Sequence, residues 1–281
     1  MVHFIVTADT GSGHRDQYRV ANSMAQLVNK YPIDSVFLLG DNIYEEGVET
    51  VDDPQFKEKF EDPYQNVKKP FYLCLGNHDY GNSFISTHNA IHQVGYSKVS
   101  EKWNMPSKYY SIKKGPCEIF FLDTNLEFLK EEAIQKQFRI MSQKIKRSKK
   151  KWKIVCGHHP WRSVGGHGNA EERFETFMNE LCSVPGLHFD LYMCGHDHCK
   201  NYIVKKNPRP LGKDIGLLVI GTGGKEYDER LLNLKNMKEG DSKLLFHSPN
   251  LGACHIEATK TKLELTCYNE LLQEEFNITL P

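Results

Sequence analysis

The sequence predicts an α/β protein built on a mixed sheet, and three observations predict it. Five short apolar runs, HFIVTADTG, VFLLGDNIY, FYLCLGNHD, WKIVCGHHP and LYMCGHDH, each break off at Gly or a polar turn, which is how a strand buried on both faces reads. Between them lie stretches with apolar residues at helical spacing. Beyond the last run β-like segments dominate, so strands and helices alternate through two-thirds of the chain and then give way to strands.

Taken in order, the first run ends at Asp9, and Ala21, Met24, Ala25 and Val28 then mark a helix. The second run delivers Asp41 and, three residues on, Tyr44; the third delivers Asn77 and His78. Ile134, Phe138, Met141 and Ile145 predict a second long helix, with Glu127, Glu131 and Glu132 at its start and Lys144, Lys146, Arg147 and Lys149 to Lys151 at its end. That charge order is the one a helix macrodipole favours, so the basic RSKKKWK run reads as a solvated helix end rather than a nuclear signal. The fourth run closes on His158 and the fifth on His196 and His198. The last thirty residues alternate in short segments around turns and read as a closing antiparallel meander.

Donors spread from Asp9 to His198 serve one site only if the chain is not cut between them, so residues 1–281 are expected to form a single domain. The 36 basic and 36 acidic residues cancel, which gives no field to attract nucleic acid or an anionic membrane. No apolar stretch approaches the ~20 residues that span a bilayer. MVHFIVTADT enters a strand without the pattern of a signal peptide, and the chain is expected to be intracellular and cytoplasmic. A monomer is the expected state. Eight cysteines with no CxxC spacing are expected to be reduced, with Cys74, Cys156 and Cys194 as small apolar filler inside strands.

In open α/β sheets, ligands gather beyond the carboxyl ends of the strands, so the runs are expected to bring their donors to one sheet edge. Singly, GNH or GH is a chance-level motif, and a lone His is more often structural than a ligand. Five strand ends carrying Asp, Asp with Tyr, Asn with His, His, and two His are a different matter. Seven donors exceed the needs of one four-coordinate zinc, and two metals sharing a carboxylate fit the count, with Asp41 the natural bridge. A phenolate suits a hard, highly charged ion, because the Tyr proton with its reference pKa of ~10 yields only to a strong Lewis acid. The anion-rich subsite therefore points to iron(III).

These motifs, with FKEKFEDPY, KWNMPSKYY, FFLDTN, GHHPWRSVGGHG and the final TLP, carry a resemblance that runs almost end to end. The chain resembles a purple acid phosphatase of the small mammalian tartrate-resistant type, within the calcineurin-like metallophosphoesterases. The resemblance implies a β-sandwich of two mixed sheets flanked by helices. It implies Asp9, Asp41, Tyr44 and His198 on ferric iron, and Asp41, Asn77, His158 and His196 on a divalent Fe, Zn or Mn. It also implies hydrolysis of phosphate monoesters by in-line attack of a metal-activated water. His167 matches the spacing of the family's active-site histidine, and its glycine-flanked loop offers no packing reason for it. His78 can act on substrate or merely orient a ligand. His3 and His159 are assigned no role. Ala8-Asp9-Thr10-Gly11 departs from the family's Gly-Asp-Trp-Gly, and the regulatory loop that mammalian enzymes carry after Asp123-Thr124-Asn125 is missing. Phe128 and Glu172 stand where its disulfide would be. The alternatives are a nucleotidase, phosphodiesterase or phosphoprotein phosphatase on the same scaffold, and a catalytically silent scaffold.

Overall fold

A computed structural model describes residues 1–81, 89–209, 212–225, 233–237 and 240–280. In chain order the strands are β1 (Val2–Thr7), β2 (Ser35–Leu39), β3 (Phe71–Cys74), β4 (Trp103–Asn104), β5 (Tyr110–Lys114), β6 (Cys117–Phe121) and β7 (Trp152–Cys156). They continue as β8 (Leu191–Cys194), β9 (Lys200–Lys205), β10 (Ile215–Ile220), β11 (Ser242–Ser248), β12 (Gly252–Ala258), β13 (Leu263–Asn269) and β14 (Glu274–Leu280). The helices used below are α1 (Arg15–Lys30), the single turn α2 (Asn77–Tyr80), α3 (Asn89–Tyr96), α4 (Glu131–Arg147) and α5 (Glu172–Ser183).

Two seven-stranded sheets result, in the orders β14-β13-β12-β1-β2-β3-β4 and β11-β9-β10-β8-β7-β6-β5. The first is parallel from β1 to β4 and antiparallel from β1 to β14, and the second has a parallel centre, β10-β8-β7-β6, with antiparallel flanks, so both are mixed. One core lies between them, where Phe37 of the first sheet meets Phe121 of the second edge to face at 5.6 Å. A second core covers the outer face of the second sheet with α4 and α5, through Phe120, Val155, Met141 and Met178. Alternation within a strand explains the unbroken apolar runs: Phe121 points into the intersheet core and Phe120 to the helices, so neither face has a use for a polar residue.

The expected elements form with local shifts. α1 wholly buries Val20, Ala21, Met24 and Leu27, with Ala25 and Val28 only partly covered, so its apolar face is rotated by a residue from the periodicity reading. Glu127 lies in a short 3-10 turn, Leu126–Phe128, and α4 begins at Glu131 with Lys144, Lys146 and Arg147 in its last turn. The C-terminal meander forms as β12 to β14 and pairs antiparallel with β1. The site cannot sit on one sheet edge, because the runs divide between two sheets, three in the first and two in the second.

His3 is buried on β1, with Nδ1 3.1 Å from His255 Nε2 of β12, and Tyr31 stacks on His255 at 4.0 Å between centroids. Burial, and then the neighbouring His3, push His255 from 6.5 down to about 4. An unfolded histidine titrates near 6.5, so protons favour the unfolded chain. Stability is therefore full above pH 6.5 and falls as the pH drops towards about 4, by about 3 kcal/mol from this group. His255→Gln is expected to lose less stability than the parent between pH 7 and pH 4 in urea unfolding; parallel losses would show that His255 is not the sensor.

Candidate metal centre

Each donor stands just past a strand end, and the chain there is bent into conformations that side chains rarely adopt. Asp9, Asp41 and His196 have φ of 57°, 50° and 69°, the left-handed region in which non-glycine residues are uncommon and which concentrates at functional sites. The glycines before the donors allow close approach. At Gly40 (φ +90°) an added Cβ would lie 2.5 Å from His158 Nδ1 and 2.8 Å from the Gly76 nitrogen, so only glycine lets β2 pass beside the histidine.

All seven expected donors come together, in two adjoining groups. In the first, the Tyr44 hydroxyl donates to Asp9 Oδ1 at 3.0 Å and lies 3.3 Å from His198 Nε2, which is itself 3.5 Å from Asp9 Oδ1. In the second, Asn77 Oδ1 lies 3.1 Å from His158 Nε2 and 3.0 Å from His196 Nδ1, and His158 Nε2 is 3.4 Å from Asp41 Oδ2. Donor atoms of Asp9, Asp41 and His158 all fall within 4.8 Å of one another, so the groups are contiguous. Two donors at right angles about an ion ~2.1 Å away are ~3 Å apart, so these spacings suit metal coordination.

Electrostatics point the same way. Burial, then Asp41 and Asp9, hold the Tyr44 phenol well above its ordinary value, so it ionises only against a strong cation. Burial also works against charge on His158 and Asp41, yet each overcomes it through the other: the carboxylate pushes His158 up to about 10, and His158 holds Asp41 well below the usual range. Burial, then His159 and His158, keep His196 neutral.

The supporting contacts orient the donors. His158 Nδ1 donates to the Leu39 carbonyl at 2.9 Å, which leaves Nε2 its lone pair. The His196 amide donates to Asp9 Oδ2 at 2.9 Å and the His78 amide to Asp41 Oδ1 at 3.0 Å. The ring of His78 packs on Tyr44 at 4.6 Å and its Nδ1 reaches the Glu45 carbonyl at 2.5 Å, so this residue both orients Asp41 and faces the Tyr44 side of the site. His167 lies over His196 at 4.1 Å between rings.

Sequence reasoning missed four residues. Asp79, fully buried, accepts from the amides of Gly76 (2.8 Å), Asn42 (3.0 Å) and Ile43 (3.1 Å) and from Gln93 Nε2 (2.7 Å), clamping two donor turns together. Thr124 Oγ1 accepts from the His158 and His159 amides, both at 3.1 Å. Asp197 accepts from the amides of His167 at 2.7 Å and Gly168 at 3.2 Å, holding that loop over the site. His159, given no role above, is half-buried 4.7 Å from the His196 ring and bonded to Thr124, and desolvation followed by His158 lowers it to about 3. Asp79 and Asp197 do stand inside the GNHDY and GHDH motifs, and an acid beside a donor was the available signal. A cavity of about 310 Å³ opens beside Asn77 and His196, walled by His159, His167, Phe128 and Phe174.

The fold is that of a metallophosphoesterase, and residues 2–200 match the calcineurin-like phosphoesterase family, to which the chain belongs. Its relatives include purple acid phosphatase 17 of Arabidopsis thaliana, 31% identical over 80% of this chain and 69% of that protein. The tartrate-resistant acid phosphatase type 5 of Sus scrofa is 26% identical over 100% and 87%. Among solved structures, the purple acid phosphatase PPD1 of Lupinus luteus seeds superposes with a TM-score of 0.75 at 16% identity, over 99% of this chain and 53% of that one. GAP50, described as the anchor in the inner membrane complex of Plasmodium, superposes at 0.80 with 20% identity, over 99% and 88%, which shows the shared fold. Among the described residues, no helix is long and apolar enough to cross a membrane.

Gly40→Ala is expected to drive His158 from the Leu39 carbonyl and weaken metal binding by roughly 10- to 100-fold, read by metal titration of the folded protein. Unchanged affinity would mean that Gly40 does not seat the histidine.

Proposed function

We propose that the chain is a phosphomonoesterase of the acid phosphatase type that works with two metal ions. Asp9, Tyr44 and His198 would hold iron(III), Asn77, His158 and His196 would hold a divalent Fe, Zn or Mn, and Asp41 would serve both. The observation that carries this reading is the buried Tyr44 phenol converging with Asp9 and His198 beside the second donor group. When bound, the ions supply charge neutralisation for the phosphate and an activated water as nucleophile.

The chain's own residues do the rest. Leu39 holds the His158 tautomer, and Asp79 and Thr124 keep the donor turns from relaxing. The cavity beside His196 receives the leaving group and shields it from bulk water. His167, fixed through its amide by Asp197, stands at the mouth of that cavity and protonates the departing oxygen from its ring nitrogen. The substrates of this reading are phosphate monoesters of small molecules or phosphoproteins, with the protein acting as a monomer.

Metal analysis together with a visible spectrum tests the reading. Reconstituted with iron under air, the protein is expected to hold two ions and to be coloured, since phenolate bound to iron(III) gives a charge-transfer band. Tyr44→Phe should abolish the band with the fold intact; a persisting band would place another group on the iron.

His167→Ala is expected to retain both metals and lose roughly 10²- to 10⁴-fold in kcat on alkyl phosphates. Activated aryl phosphates, whose leaving groups need less protonation, should suffer less. Equal losses on both would make His167 a phosphate-binding residue instead.

A further inference from the structure

Two cysteines outside the site are placed for a reaction that the metal centre does not use. Cys254 of β12 and Cys267 of β13 are direct partners across the antiparallel ladder, both fully buried, with their sulfurs 3.1 Å apart. The kind of pair they form follows from the turn. Thr259 donates its amide to the Lys262 carbonyl at 2.8 Å, so 259 and 262 are a hydrogen-bonded pair. The register runs without a shift from there to Cys254. Pairs alternate along an antiparallel ladder, and five residues further on, an odd number, Cys254 and Cys267 occupy a non-hydrogen-bonded pair. Such partners have Cα atoms ~4.5 Å apart, within the ~4.4–6.8 Å that a disulfide spans. The sulfurs need to close by only about 1 Å to reach bonding distance.

We propose that Cys254 and Cys267 form a cross-strand disulfide when this chain folds against a small-molecule disulfide such as oxidised glutathione. One cysteine thiolate attacks a sulfur of that disulfide and expels one thiolate, giving a mixed disulfide on the protein. The second cysteine thiolate then attacks the protein's own sulfur and expels the other. Two protein thiols are oxidised, one external disulfide is reduced to two thiols, and two hydrogens leave the protein. Exchange belongs to folding rather than to the finished molecule, because the closed sheet buries both sulfurs and burial pushes the Cys254 thiol well above its ordinary value. The reduced pair is equally compatible with the sheet, so the same chain has a stapled and an unstapled form according to the redox state in which it folds.

The test refolds the full chain from denaturant in a mixed glutathione buffer, and in parallel with reductant alone, and maps cysteines by digestion without reduction. The expected result is one linked peptide joining Cys254 to Cys267, two hydrogens lighter, with a melting temperature about 5 °C above that of the reduced protein. Cys267→Ala should melt at the same temperature from either buffer. Full alkylation of both thiols after oxidative refolding, or linkage of either to a different cysteine, overturns the proposal whatever the variant does.

Discussion

The contact on which everything else depends is the face-to-face packing of the two sheets. Asp9, Asp41, Tyr44 and Asn77 follow strands of one sheet, whereas His158, His196 and His198 follow strands of the other. Neither group of side chains is complete within a sheet: Tyr44 and Asp9 meet His198 across the interface, and Asn77 meets His158 and His196 across it. The apolar layer that joins Phe37 to Phe121 therefore sets donor spacings that must hold to a few tenths of an ångström.

Packing brings the strand ends near one another, and hydrogen bonds finish the placement. Three donor residues sit at positive φ, a conformation that costs energy and persists only where its surroundings over-determine it. Here the surroundings are specific. Asp79 gathers amides from the Asp41 and Asn77 turns, Thr124 gathers those of His158 and His159, and Asp9 takes the amide of His196. These side chains are thus held in place by the protein itself, and the repulsion of Asp9 and Asp41 within one buried site is borne by the fold.

Much of this was legible in the sequence because a strand buried on both faces must be apolar throughout and can turn polar only where it ends. That single rule located the seven side chains that converge between the sheets. It could not assign strands to sheets, since an end reads the same in either, and so a one-edge site was expected where the structure has an interface. Nor could it see residues that act over long separations. Asp79 bonds to Asn42 across 37 residues and Thr124 to His158 across 34, and neither spacing leaves a local pattern. His159 was overlooked for a different reason: its position beside a donor was plain, but its packing against His196 depends on where Thr124 lies. The rotated face of α1 came from Leu27 and Val20, whose burial is decided by the sheet beneath rather than by helical period.

The antiparallel pairing of β1 with β12 has a consequence for synthesis. All seven of these residues have been made once His198 is added, and the family match itself ends at residue 200. Yet β1, which carries Asp9, lies inside its sheet only after Gly252–Ala258 arrives to cover its second side. Until then the nascent chain presents β1 as an unprotected apolar edge, open to pairing with other chains. Among the described residues the last third of the molecule adds nothing to the two groups, but the order of manufacture makes it the segment that decides whether the first strand is sheltered or aggregates.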